Sequence, residues 1–187
     1  MAQACLALDL PDWATPYEAV GRVFADDAAR MALAVELARE NVERASGGPF
    51  GAAIFSLDQG RLLAVGVNSV VRLNSSVLHA EMLAIMRAQR ALGRYTLNRA
   101  PGYALYTSCE PCAMCLGGIL WSGVRRLVCA APAAAARQAG FDEGPVDAAS
   151  YAALERAGIE VRRGVLAEPA SAVIARYRAL GRPIYNP

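Results

Sequence analysis

The chain has 187 residues, of which 55% are hydrophobic and 19% are charged, and its formal net charge is +2. This length predicts a single domain that buries a core without disulfides, and the composition excludes a disordered chain. The 19 basic residues are all arginine, but the small net charge gives no electrostatic sign of nucleic-acid binding and argues against nucleic acid as a partner.

The first 25 residues show no clean apolar periodicity and contain Pro11 and Pro16. We therefore expect an N-terminal arm over 1–25 and one domain over 26–187. The start lacks a basic region ahead of an apolar run, and no apolar segment approaches the roughly 18 residues of a membrane helix. Three of the five cysteines lie within 109–115, which indicates metal or catalytic chemistry and a cytoplasmic location.

The predicted elements begin with a helix that Asp26 and Asp27 cap and that ends near Ala45. Two strands, 51–57 and 62–68, are joined by a tight turn and are expected to pair antiparallel. The remaining periodicity predicts helices over 77–92, from Pro111 to 121, 147–157 and 170–180, and strands over 103–107, 126–130 and 159–166. Strands that alternate with helices predict a three-layer α/β/α sandwich in which the later strands are parallel.

Four residues carry the chemistry. His79, Cys112 and Cys115 can supply the three protein ligands of a catalytic zinc, which keeps one position open for water. A Cys-x-x-Cys spacing at the start of a helix places both thiols on one face and favours the thiolate. Glu81 lies two residues after the histidine, so it can reach the water without ligating the metal and can transfer its proton. His-x-Glu followed by Pro-Cys-x-x-Cys is the general signature of zinc deaminases.

Other interpretations of these residues stay open. A Cys-x-x-Cys pair is also typical of redox sites and zinc knuckles. Cys109 could join His79, Cys112 and Cys115 in a closed structural Cys₃His site without room for water. Structural zinc, however, belongs mostly to chains that are too small to form a core. We therefore favour catalytic zinc.

The sequence resembles the cytidine-deaminase-like superfamily and, within it, the guanine deaminases. The resemblance runs from about residue 31 to the C-terminus and is strongest over 106–121. Residues 47–52 and 139–143 are similar to guanine deaminases in particular. It implies a five-stranded mixed sheet, one Zn²⁺ per subunit, a homodimer, and hydrolysis of guanine to xanthine and ammonia in purine catabolism.

The same resemblance implies site residues beyond the metal ligands. Glu81 and Glu143 are expected to be catalytic, and the Glu143 carboxylate would accept hydrogen bonds from the base or relay a proton to the leaving amine. Tyr185 lies near a C-terminus that would cover the pocket of its own or the partner subunit. The expected substrate contacts are Asn68, Phe50, Trp121, Ala80, Asp142 and Tyr185. Ordinary roles remain open for Phe50 and Trp121 as core or dimer contacts.

Competing functions also remain. Aminotriazines such as ammeline present an edge similar to that of guanine. Enzymes that deaminate adenosine in tRNA share the motif but need a basic surface, of which Arg176, Arg178 and Arg182 are a weak version. A cytosine or nucleoside deaminase of the same superfamily is a further alternative. A non-catalytic, zinc-stabilised binding subunit predicts that Glu81 is replaced, and Glu81 is present.

Overall fold

The computed structural model describes residues 8–18 and 21–186, and a five-stranded sheet forms its centre. The strands are β1 (Gly51–Ser56), β2 (Leu62–Val67), β3 (Tyr103–Cys109), β4 (Arg126–Ala131) and β5 (Glu160–Arg162), in the order β2-β1-β3-β4-β5. Strand β1 pairs antiparallel with β2 and β3, whereas β3, β4 and β5 run parallel. The predicted mixed sheet, with an antiparallel first pair and parallel later strands, is confirmed.

Helices cover both faces of this sheet. They are α1 (Asp27–Glu43), α2 (Ala80–Leu92), α3 (Ala113–Ser122), α4 (Ala133–Ala139), α5 (Ala148–Arg156) and α6 (Ala167–Ala179). One apolar core contains residues of α1, α4 and α6, and the other contains residues of α2, α3 and α5. The three-layer α/β/α sandwich is therefore confirmed. Within the described residues, no helix is long and apolar enough to span a membrane.

The starts of α2 and α3 differ from the prediction in a way that matters for the site. Residues 77–79 are not helical, and His79 is the N-cap of α2 with an extended backbone (φ −67°, ψ 159°). Cys112 is likewise the extended N-cap of α3 (φ −69°, ψ 173°), so Pro111 precedes this helix instead of opening it. An N-cap residue lies half outside its helix. Each helix therefore presents one potential ligand at its positive end.

Three further boundaries were predicted incorrectly. Helix α4 lies in the connection after β4, where an alanine-rich stretch gives little contrast between its buried and exposed faces. Strand β5 stops at Arg162 because Gly164 and Leu166 adopt left-handed backbone conformations (φ 82° and 56°). Helix α6 consequently begins at Ala167, three residues earlier than expected.

The predicted N-terminal arm contains ordered structure in its described part. Asp12–Glu18 forms a 3-10 helix, and Leu10 and Ala14 belong to the core beside α1. Arg87 of α2 pairs with Glu18, so the segment is tied to the sheet-covering helix as well. Residues 1–7 and 19–20 of the arm lie outside the described residues. The division at residue 25 stays a prediction.

Candidate functional site

A nitrogen atom and two sulfur atoms converge where α2 and α3 begin. His79 Nδ1 lies 3.5 Å from Cys112 Sγ and 3.6 Å from Cys115 Sγ. All three ligand atoms lie within 4.8 Å of one another. Zinc bonds of about 2.3 Å to sulfur and about 2.0 Å to nitrogen, at a tetrahedral angle, separate S from N by roughly 3.6 Å. The observed spacing therefore fits a tetrahedral zinc ion with three protein ligands.

One of the two thiols, Cys112, is prepared to carry negative charge. A hydrogen bond from the Cys115 thiol lowers the pKa of Cys112 to about 4. That same hydrogen bond, together with burial, raises the pKa of Cys115 well above its ordinary value. A thiolate is the form of cysteine that ligates metal, so the pair already offers one anionic ligand to a cation.

Cys109 is not part of the ligand group. Its thiol is buried and lies 4.0 Å from the carbonyl oxygen of Pro132. Burial raises its pKa well above the ordinary value. Among the described residues, the group of converging ligand atoms consists of His79, Cys112 and Cys115 alone. The structure therefore does not form the closed Cys₃His arrangement, and a fourth position remains free of protein ligands.

Glu81 lies in the first turn of α2, just beyond His79. Its side chain is only 6% exposed, and the Thr107 hydroxyl donates a hydrogen bond of 3.1 Å to its Oε1. Burial raises the pKa of this carboxyl above its usual range, which suits a group that must take up and release a proton. Thr107 was not predicted as a site residue. The only sequence signal for it was a hydroxyl inside an otherwise largely apolar strand.

Glu143 is a second buried carboxyl in the same cavity. It is 7% exposed, and its carbonyl oxygen accepts a 2.9 Å hydrogen bond from the Ala113 amide, which fixes the loop to the start of α3. Burial, reinforced by the negative charges of Cys112 and Glu81, raises the pKa of Glu143 to about 7. Near neutral pH this carboxyl can therefore either donate or accept a proton.

These groups face a cavity of about 490 Å³, a volume typical of small-molecule sites. Phe50 and Phe141 form an apolar part of its wall, with ring centroids 5.1 Å apart in an edge-to-face arrangement. Asp142 also lines the cavity, and its Oδ1 accepts a 2.8 Å hydrogen bond from the Gly144 amide. Phe141 belongs to the stretch 139–143 that resembles guanine deaminases, and its place on the wall depends on how the loop folds back.

The C-terminal segment of the same chain contributes Tyr185 and Asn186 to the wall of this cavity. Asn186 accepts a 3.0 Å hydrogen bond from the Asp142 amide and donates one of 2.8 Å to the Gly140 carbonyl. The Tyr177 hydroxyl donates to the carbonyl oxygen of Pro183 at 2.6 Å. Tyr185 packs its ring 5.2 Å from that of Phe141, and its hydroxyl is buried without a hydrogen-bond partner.

Three expected substrate contacts lie elsewhere. Asn68 follows β2 and is 1% exposed, and its Nδ2 is buried without a hydrogen-bond partner. Ala80 is fully buried at the start of α2. Trp121 is 86% exposed near the far end of α3, about 13 Å along the helix axis from Cys112. None of the three is on the cavity wall, whereas Phe50, Asp142 and Tyr185 are.

Comparison with known proteins places this geometry among zinc-dependent deaminases. Residues 25–131 match the cytidine and deoxycytidylate deaminase zinc-binding region. The chain is 46% identical to guanine deaminase from Bacillus subtilis over 110 residues, which cover 59% of this chain and 67% of the relative. It superimposes on a guanine deaminase structure from Nitrosomonas europaea with a TM-score of 0.90 and 41% identity, over 96% and 99% of the two chains. A tRNA-specific adenosine deaminase from Agrobacterium fabrum is 41% identical over 97 residues, 52% of this chain and 60% of the relative.

Proposed function

The chain belongs to the cytidine and deoxycytidylate deaminase family, and on that premise we propose that it hydrolyses guanine to xanthine and ammonia. The observation that carries the proposal is a cavity lined by two buried carboxyls and by His79 and Cys112, which form a zinc-type ligand triangle with Cys115. Guanine as the base is supported by the similarity to guanine deaminases over almost the whole chain.

A zinc ion held by His79, Cys112 and Cys115 would supply Lewis acidity, which makes water a nucleophile at neutral pH. We assign the proton transfers to Glu81. Its carboxylate takes a proton from the attacking water as the new C2–O bond forms, and returns it to a ring nitrogen. The hydroxyl now on C2 gives up its proton, which is relayed to the amine as the C2–N bond breaks, so that C2 becomes a carbonyl carbon and ammonia leaves. The hydrogen bond from Thr107 holds one carboxylate oxygen in place for both transfers.

Glu143 is proposed to serve the leaving-group side of the reaction. Because its pKa is raised to about 7, it can accept hydrogen bonds from the N–H edge of the base when ionised and deliver a proton when neutral. For a group with a pKa near the working pH, both gain and loss of a proton cost little free energy. The carboxyl therefore suits a relay to the amine.

The remaining walls suit a flat heterocycle. Phe50 offers an aromatic surface, Asp142 a carboxylate, and Tyr185 a buried hydroxyl that has no hydrogen-bond partner among the described residues. Asn68 carries a buried, unpaired amide nitrogen, and we retain it with Ala80 as proposed contacts to the base. Trp121 is better placed for another role, since its exposed ring beside Leu120 suits a contact between two copies of the chain. A homodimer in the cytoplasm is part of the proposal.

We propose that the C-terminal segment closes over the bound base, which argues against tRNA as the substrate. The segment from Pro183 to Asn186 is held by hydrogen bonds at both ends, and its residues Tyr185 and Asn186 line the cavity. This arrangement suits a free base better than a nucleotide within a polymer. Aminotriazines such as ammeline have the right size and the same amino-amidine edge. They are the second class of substrate to test.

An ammonia-release assay over guanine, guanosine, adenine, cytosine, cytidine, ammeline and tRNA tests the proposal directly. Guanine should be turned over with the highest kcat/KM, by protein that contains one zinc per chain. Release of ammonia from tRNA or cytosine but not from guanine would replace the proposed substrate. Metal-free protein that retains full activity would overturn the proposed chemistry.

A further inference from the structure

Asn41 is a polar side chain in the buried face of α1. The residue is 0% exposed, and the neighbouring buried positions Leu37, Ala38 and Val42 are apolar. A buried carboxamide is costly unless its donors and acceptor find partners. All of the polar atoms of this side chain have partners, and one of those partners, Gly48, belongs to the loop that carries the cavity residue Phe50.

The Asn41 amide nitrogen joins two separate stretches of backbone. Nδ2 donates hydrogen bonds of 2.8 Å to the Gly48 carbonyl and 3.0 Å to the Asn68 carbonyl. The amide of Asn68 in turn donates to the Phe50 carbonyl at 3.0 Å. One side chain of α1 thus sets the distance between the loop that carries Phe50 and the residue that follows β2.

The approach of these segments leaves no space for a side chain at Gly47. A Cβ there would lie 2.1 Å from the Asn68 carbonyl oxygen and 2.6 Å from Asn41 Nδ2. The Asn68 side chain is held from the same loop, because its Oδ1 accepts a 3.4 Å hydrogen bond from the Gly48 amide. Its own Nδ2 stays buried and without a partner. Asn68 is therefore fixed on its carbonyl and Oδ1 sides and retains unused donors.

The side-chain oxygen of Asn41 is connected through hydrogen bonds to the N-terminal segment. Asn41 Oδ1 accepts a 2.8 Å hydrogen bond from the Ser46 hydroxyl, and the Ser46 oxygen accepts one of 3.0 Å from the indole N–H of Trp13. Trp13 lies in the 3-10 helix of the arm. A continuous hydrogen-bonded chain therefore runs from Trp13 through Ser46 and Asn41 to Asn68.

We propose that Asn41 is a positioning residue for the substrate, acting through Asn68 and the Phe50 loop, and that Trp13 and Ser46 hold it in place. The inference rests on the proposed function, because Asn68 and Phe50 are the groups proposed to contact the base. It gives the N-terminal segment a defined role. That segment fixes the orientation of a carboxamide on which substrate affinity depends.

The first test is Asn41→Asp, which keeps the shape of the side chain and removes both amide donors. An oxygen would then face the carbonyls of Gly48 and Asn68, so both segments must move. Each lost hydrogen bond of ordinary strength corresponds to roughly a two- to thirteen-fold change in an equilibrium constant. KM for guanine should rise about ten-fold or more, with zinc content unchanged and kcat altered much less. The dissociation constant of guanine is measured alongside KM.

The matched control is Ser122→Ala at the end of α3. Ser122 is also a buried polar residue, 2% exposed, and its hydroxyl donates to the Ile119 carbonyl at 2.7 Å. It should lower Tm without changing KM. A purely structural role for Asn41 predicts the same behaviour, so an Asn41→Asp variant with reduced Tm and an unchanged KM would overturn the inference.

Trp13→Phe provides a second, milder test that does not threaten folding. It keeps an aromatic ring at this position and removes the indole N–H donor together with part of the ring surface. KM should rise by roughly two-fold or more, the effect of one hydrogen bond, whereas Tyr17→Phe on the same 3-10 helix should leave KM unchanged. If Asn41→Asp does not fold, an unchanged KM in Trp13→Phe refutes the proposal.

Failure of the proposed function gives a different result. If wild-type protein binds guanine without releasing ammonia, the guanine deaminase function is wrong. The dissociation constants of the variants still decide whether Asn41 positions the base. If it deaminates another base, the same comparison is made with that base. Protein that binds none of the bases overturns both proposals.

Discussion

Replacement of Gly48 by alanine should displace the Tyr185 side chain from the wall of the cavity. A Cβ at this position would lie 2.0 Å from the Tyr185 hydroxyl oxygen and 2.8 Å and 2.9 Å from two ring carbons. Non-bonded atoms do not approach so closely, and the backbone of Gly48 is held by Asn41. The ring of Tyr185 must therefore move away. Because two ring carbons also collide, Tyr185→Phe would not relieve the contact.

The size of the effect follows from the packing and burial that the Tyr185 ring loses. Its ring packs 5.2 Å from Phe141, and an aromatic pair is worth about 0.5–1.5 kcal/mol beyond burial. Burial of a large apolar side chain contributes about 1.5–3 kcal/mol. The lower values together give roughly 2 kcal/mol for the closed position of the segment. If binding of the proposed base requires Tyr185 in this position, the KM for the base should rise by about 30-fold in the Gly48→Ala variant.

A double-mutant cycle with Tyr185→Ala isolates the effect. Each single variant should raise KM for guanine, and the double variant should be no worse than Tyr185→Ala alone, because the alanine at 48 then has no ring to displace. Zinc content serves as the control, since neither residue is a proposed ligand. Strictly additive effects, or a Gly48→Ala enzyme with wild-type KM, would show that the contact with Tyr185 does not govern binding.

The other expected outcomes concern the metal and the two carboxyls. Glu81→Gln should keep zinc, as measured by atomic emission, and lower kcat by about 10²–10⁴-fold because proton transfer is lost; a near-normal rate would assign that transfer to another group. Glu143→Gln should reduce guanine turnover with the metal retained, and an unchanged rate would make Glu143 a loop residue only. Cys109→Ser should retain about one zinc per chain, whereas Cys115→Ser should lose the metal; the reverse pattern would contradict the proposed ligand set.

The metal site was predictable because its signal is local. Cys112 and Cys115 are three residues apart at the start of one helix, and His79 and Glu81 flank the start of another. Each of the two helix starts carries ligands, so only their proximity to each other depends on long-range structure. The central sheet brings them together, because α2 and α3 both pack on the same face of the sheet.

Long-range contacts were less predictable. Thr107 gives no local sign that its hydroxyl reaches Glu81, 26 positions away along the chain. Asn41 is one polar residue on an amphipathic helix, where solvent exposure would be the simpler expectation. Its burial depends on the two backbone segments that turn back towards α1. Trp121 shows the opposite case, since it lies at an apolar helix end beside the motif and its side chain is 86% exposed.

The sequence by itself determined the layered fold, the three ligand types and the carboxylate beside them, because periodicity and short spacings act within a few residues. Only the tertiary structure decided that Cys109 faces Pro132 and not the ligand group, that Glu143 is buried, and that Tyr185 lines the cavity of its own chain. These outcomes depend on how loops and the C-terminus pack against distant elements. Such packing is set by the shape and burial of the whole fold, and no single segment encodes it.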